Sequence, residues 1–171
     1  MTPAVRSRLH RGAIFGLTGA WLVGSLVHPG SAQPTRARGK SEQARVIARS
    51  DVPLGGMVTG RMESLFRILK SADSDWNDAH VYSVRFSDPE MRQNRTMRGQ
   101  MIVIHATGDR TFLDYELTWK GGVDTEFELM GRIVGGTGKF QGITGQWRER
   151  GVSTMTHDTS DWEIEYSVPG H

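Results

Sequence analysis

Seven charged side chains, Asp114, Glu116, Glu126, Glu128, Arg132, Arg148 and Arg150, fall in runs that alternate apolar and polar residues. Gathered in one cavity, such carboxylates and arginines could do proton chemistry. A carboxylate held in apolar surroundings has a raised pKa and serves as a general acid or base. On a wet sheet face the same residues form cross-strand ion pairs, each worth a few tenths of a kcal/mol. The choice turns on which side of each strand faces inward. If the polar sides face in, Tyr115 and Trp147 lie on the exterior or between subunits. A one-residue shift of register exchanges the two sides, so residue type alone leaves both open. The solvated reading is the plainer one.

Other chemistries find less support. Gly135-Gly136-Thr137-Gly138-Lys139-Phe140-Gln141-Gly142 invites a phosphate-loop reading. That loop needs glycine five residues before the Gly-Lys pair, where Ile133 stands, and Ser or Thr after the lysine, where Phe140 stands. A dinucleotide pattern through Gly136 and Gly138 puts Gln141 at its third glycine. The segment therefore predicts a tight structural turn at Gly135, Gly136, Gly138 and Gly142, with Phe140 plugging one end of a core. His80, His105, His157 and His171 show no metal-ligand spacing, and no nucleophile elbow of the G-x-S-x-G type occurs. No metal and no cofactor is predicted. His105, in an apolar strand, reads as a buried histidine with its hydrogen bonds satisfied. Arg92, Arg95 and Arg98 suggest either an anion site or, more simply, a solvated loop.

The elements that must position these residues are strands. Eight strand-like runs lie at about 45–50, 59–70, 79–87, 98–107, 110–119, 124–134, 142–151 and 160–168, separated by Gly, Asp, Ser and Pro. The second run also admits a short helix over Met62 to Lys70. The short connections favour antiparallel neighbours. Trp162, Ile164, Tyr166 and Val168 share one face; so do Leu113, Tyr115, Leu117 and Trp119, and likewise Phe127, Leu129, Gly131 and Ile133. A two-layer sandwich and a closed barrel both fit. About eight strands suffice for a barrel with room for side chains or one small ligand.

Residues 1–32 have the layout of a secretory signal: Arg6, Arg8 and Arg11, then an uncharged stretch from Ala13 to Val27, then Pro29-Gly30-Ser31-Ala32. Cleavage is expected after Ala32, giving a secreted or periplasmic protein with no stable membrane span. The stretch is short for a span, which needs about 20 residues. Residues 33–44 read as a flexible polar linker and 45–171 as the folded domain. The whole chain has 21 Lys+Arg and 19 Asp+Glu; residues 1–32 hold three of the arginines and no acid, leaving 18 against 19. A nucleic-acid partner is not expected at that balance. The chain has no cysteine, so packing, not disulfides, must stabilise it.

The block from Ile133 to Gly145, together with Gly108-Asp109-Arg110-Thr111-Phe112, Tyr115-Glu116 and Trp119, resembles bacterial exported members of the allene oxide cyclase and dirigent barrel superfamily. The likeness covers roughly 101–150. It implies an eight-stranded antiparallel, calycin-like barrel, and a homo-oligomer that is a trimer in the plant members. It transfers no catalytic site; among the acids of the polar stripe, Glu116, which lies within the family-like strand, is the candidate catalytic carboxylate. Tyr115, Glu126, Glu128, Arg132 and Trp147 are the candidate ligand contacts. The expected action is to bind a small hydrophobic molecule and steer its cyclisation or coupling by shape. The alternatives are an isomerase or cyclase with a buried carboxylate, and a cell-envelope module filled by its own side chains.

Overall fold

In the computed structural model, which describes residues 34–121, 125–154 and 158–170, alternation along each run becomes the inside and outside of a single closed sheet. The strands are β1 (Thr35–Gly55), β2 (Val58–Ser71), β3 (His80–Ser87), β4 (Thr96–Ile104), β5 (Arg110–Gly121), β6 (Thr125–Gly136), β7 (Thr144–Ser153) and β8 (Asp158–Ser167). Each pairs antiparallel with the next, and β8 returns to β1, so the eight strands form a closed barrel. A sandwich is excluded. Closure removes the free edges that an open meander would expose. One short helix, α1 (Pro89–Gln93), bridges β3 and β4; the Asp88 side chain caps it by accepting from Met91 N–H.

Two expectations need correction. Residues 35–44, expected as linker, are the first half of β1 and pair with β8 from Thr35↔Tyr166 to Ala44↔Asp158. The polar composition misled: Arg36, Arg38 and Lys40 face outward while Ala37 and Ser41 are buried. The strand kinks at Gln43, which has positive φ, and there the register with both neighbours shifts. Met62 to Lys70 is strand, not helix. The signal-like segment 1–32 lies outside the described residues.

The inward faces are the apolar ones. Leu113, Tyr115, Leu117, Phe127, Leu129, Ile133, Trp162, Ile164 and Tyr166 are all buried. A narrow barrel holds such large rings only where the facing position is small. Tyr115 faces Gly99 and Gly131, Trp147 faces Gly131, Phe127 faces Gly151, Tyr166 faces Gly145 and Trp162 faces Gly39. The strand glycines therefore supply volume inside the barrel.

One end of the barrel is plugged by two connections. The β2–β3 loop folds on Asp73, whose side chain accepts from Asp75 N–H, and places Trp76 against Trp147, Trp162 and Tyr166. The β6–β7 connection is a 3-10 turn, Gly138–Phe140, that drops Phe140 onto His105 with ring centroids 4.0 Å apart. Gly138 has a φ of +56°, and Asp109 occupies the space a Cβ would need. Phe140 is the expected plug, with 1 % of its surface exposed. His105 is satisfied as expected. The Asp75 carbonyl can only accept, so Nδ1 donates to it at 2.7 Å, and Nε2 accepts from the Thr111 hydroxyl at 2.9 Å.

Candidate functional site

Besides small serines and Thr111, five larger polar strand residues share the inward phase with the apolar set. Arg67 lies between Leu65 and Leu69 on β2, with Glu63 four residues before it. Arg85 follows Val81 and Ser83 on β3. Tyr115 lies between Leu113 and Leu117 on β5, and Glu149 is two residues after Trp147 on β7. Alternation sends all of them into the barrel at mid-height and toward the end opposite the plug.

Glu149 has a fully buried side chain and forms an ion pair with Arg67, which is 12 % exposed. The same carboxylate accepts from Ser160 Oγ at 2.6 Å and from Trp147 Nε1 at 3.1 Å. Arg67 Nη2 lies 3.7 Å from the Met101 sulfur, and Arg67 Nε is buried with no partner among the described residues. Glu63 accepts from Arg85 Nε and Arg49 Nε, each at 2.8 Å. Burial pushes the Glu63 carboxyl up, but Arg85 and then Arg49 outweigh it and hold the group below its ordinary value. The Arg85 guanidinium lies over the Trp119 ring, 5.6 Å from its centroid. Tyr115 sits between the two ion pairs with its hydroxyl beside Ser83, and burial pushes its pKa up.

Arg67, Arg85, Tyr115 and Ser160 line a small cavity of about 30 Å3, together with Trp119 and Phe127. That volume admits water and little more. A wider depression, about 760 Å3, lies on the outer face of β1, β7 and β8, where Arg36 and Glu165 pair in solvent.

Replacing a buried ion pair by apolar side chains of like volume is often neutral or stabilising, so filling the barrel does not by itself account for four buried charges. The chemistry on offer is donation. Glu149 already accepts from three donors, Arg67, Ser160 and Trp147. The neutral Tyr115 hydroxyl and the unpartnered Arg67 Nε are donors suited to a buried oxygen acceptor.

The expected site residues divide by face. Tyr115 and Trp147 lie inside, in contact with this cluster. Glu116 does not: it is on the outer face, paired with Arg98 at 3.1 Å, with side-chain exposures of 49 % and 70 %. Glu126 is exposed, and Glu128 faces outward between Lys120 at 2.7 Å and Arg150 at 3.2 Å. Arg132 is exposed opposite Asp114. The polar stripe is thus the solvated face, and Glu116 is not an interior carboxylate. Arg92 donates to the carbonyls of Ser87 and Thr59, and Arg98 pairs with Glu116, so two of the three arginines are committed locally. No cluster of metal-ligating side chains occurs among the described residues; His157 and His171 lie outside them.

Arg67, Glu63, Arg85 and Glu149 escaped the sequence reading. The signal was present as phase: a charge in step with apolar residues, as in Gly145-x-Trp147-x-Glu149-x-Gly151, points where they point.

No family model, curated protein or solved structure matches this chain.

Proposed function

We propose that the barrel binds a small, mostly apolar molecule carrying one oxygen acceptor. Its polar end sits against Tyr115 and Arg67, and its apolar part against Trp119, Phe127, Leu117 and Leu129. The observation that carries this reading is the buried, unpartnered Nε of Arg67, a residue that lines a cavity shared with Trp119, Phe127, Leu117 and Leu129. A buried donor without a partner costs about 1–3 kcal/mol, which a bound acceptor would recover. The cavity of about 30 Å3 is far below the ~300 Å3 of small-molecule sites, so binding requires the Trp119 and Phe127 rings to move aside. The resemblance to allene oxide cyclase and dirigent barrels supports a shape-steered cyclisation or coupling of that molecule. The leader-like residues 1–32 support action outside the cytoplasm.

Native mass spectrometry of the protein purified from its expression host, with a thermal-shift panel of unsaturated fatty acids and phenols, tests the reading. Binding at 100 times Kd raises stability by about 2.7 kcal/mol, a shift of several degrees. Tyr115→Phe and Arg67→Met should each weaken it about tenfold. A protein that carries no small molecule and shifts with no member of the panel refutes the reading.

That result would favour the filled envelope module, which the small cavity supports. An isomerase reading would rest on Glu149, whose three donors argue against it.

A further inference from the structure

The two halves of the barrel exterior differ in kind. Around β1, β8 and β7 the outward residues form a ladder of alternating sign: Arg36, Arg38 and Lys40 on β1 face Glu165, Glu163 and Asp161 on β8, and the last two face Arg148 and Arg150 on β7. Across β2 to β5 the outward row is apolar. Phe66, Tyr82, Ile102 and Phe112 stand opposite one another in register, with the Phe66 and Tyr82 rings 5.1 Å apart. Ile47, Val84 and Val134 extend it, and with Tyr82 and Ile102 they are 40–50 % exposed. Together they line a shallow depression of about 430 Å3.

β4 states the anomaly locally. Met101 and Val103 are buried inside the barrel, while Ile102 and Ile104 point outward. A strand that is apolar on both faces is usually one covered on both. Contiguous apolar patches of several hundred Å2 on a free monomer commonly mark an interaction site.

We propose that a second copy of this chain covers this face, in a two-fold contact centred on Tyr82 and Ile102. Two observations bear on the occupant. The closed barrel offers no strand edge, so association must be face to face. The flank of the row carries both signs, Arg98 with Glu116 and Asp114 opposite Arg132, which is self-complementary across a two-fold axis. An anionic lipid surface calls instead for a basic rim. A standard interface takes about 800 Å2 from each partner, more than the apolar row provides, so these mixed charges form its polar rim. The proposal is independent of the ligand reading, because the residues that test it, Tyr82 and Ile102, lie on the outer face and do not line the interior cavity.

Sedimentation velocity and light scattering of the purified chain test it. The wild-type protein should reach twice the monomer mass between about 1 and 100 µM, spanning the weak limit for interfaces of standard size. Ile102→Arg and, separately, Tyr82→Ser should weaken association at least tenfold with unchanged circular dichroism, while Glu163→Gln on the charged half leaves it intact. Hydroxyl-radical labelling of wild-type Tyr82 should fall as concentration rises, which decides the matter even if the variants misfold. A wild-type monomer throughout the range overturns the proposal, whether or not it floats with phosphatidylcholine vesicles. So does association that both variants leave at full strength, or Tyr82 labelling independent of concentration.

Discussion

Tyr115 stands directly across the β4–β5 pair from Gly99, and a Cβ on Gly99 would lie 2.6 Å from the Tyr115 hydroxyl and 2.5 Å from its ring carbon Cζ. The glycine is the space the phenol occupies. The same Cβ would also meet the Val84 carbonyl at 2.4 Å, which belongs to the backbone and moves only with the sheet. Gly99 thus fixes where the phenol hydroxyl of the interior cluster points.

Gly99→Ala should therefore displace Tyr115 and strain the sheet, at a cost of about 1–3 kcal/mol, the usual range for overpacking. The double variant Gly99→Ala/Tyr115→Leu removes the clash with the ring but not the one with the carbonyl, so it should recover part of the loss. Urea unfolding of the two proteins measures both. A neutral Gly99→Ala would show that the phenol is not held by this contact.

A second expectation concerns the Arg67–Glu149 pair. Glu149→Leu alone leaves Arg67 buried without its counter-charge and should cost about 3–5 kcal/mol. Arg67→Met/Glu149→Leu removes both charges and should be close to wild type in stability, so the coupling between the sites should exceed about 2 kcal/mol. Glu116→Gln, on the exposed Arg98–Glu116 pair, should change stability by less than about 1 kcal/mol. Additive single substitutions in the lumen would mean that the pair is not dry.

How far the chain announced this arrangement depended on the signal used. Strict alternation, as in Trp162-x-Ile164-x-Tyr166, gives a strand and its buried face from residue type alone, and eight such runs with short connections brought the barrel within reach. β1 was half missed because its inward residues, Ala37, Gly39 and Ser41, are small, and the cue of alternating bulk vanished. Glu116 lies within the family-like strand, yet it is out of phase with Tyr115 and Leu117 and so faces water. Glu149 stands between two outward arginines, Arg148 and Arg150, but keeps step with Trp147 and is buried. Pairing of Arg67 with Glu149 spans 82 residues and depends on the closure of β8 on β1, which no local pattern encodes.

Acid should weaken the fold in two separable steps. Burial lowers the His105 pKa, and the Lys139 charge adds to this, while the Asp75 carbonyl and the Asp75 and Asp109 carboxylates act the other way. With the folded value below the unfolded one, the unfolded chain binds the extra proton first. The contribution of neutral His105 is complete above the unfolded value of about 6.5 and erodes as the pH falls below it. Glu63 behaves alike in a lower window: its folded pKa is depressed by Arg85 and Arg49, so its contribution is present above the unfolded value of about 4.3 and is lost as the pH falls from there through the folded value. Melting temperature recorded from pH 8 to pH 3 should fall in both windows. His105→Gln should flatten the upper one, because the neutral amide has no proton to take up, and Glu63→Gln the lower. Glu63→Gln should also lower stability at neutral pH, since Arg85 then lies inside the barrel without its carboxylate. A profile flat between pH 7 and pH 5 in the wild-type protein would mean that His105 accepts its proton in place, with the Thr111 hydroxyl turned to accept from it.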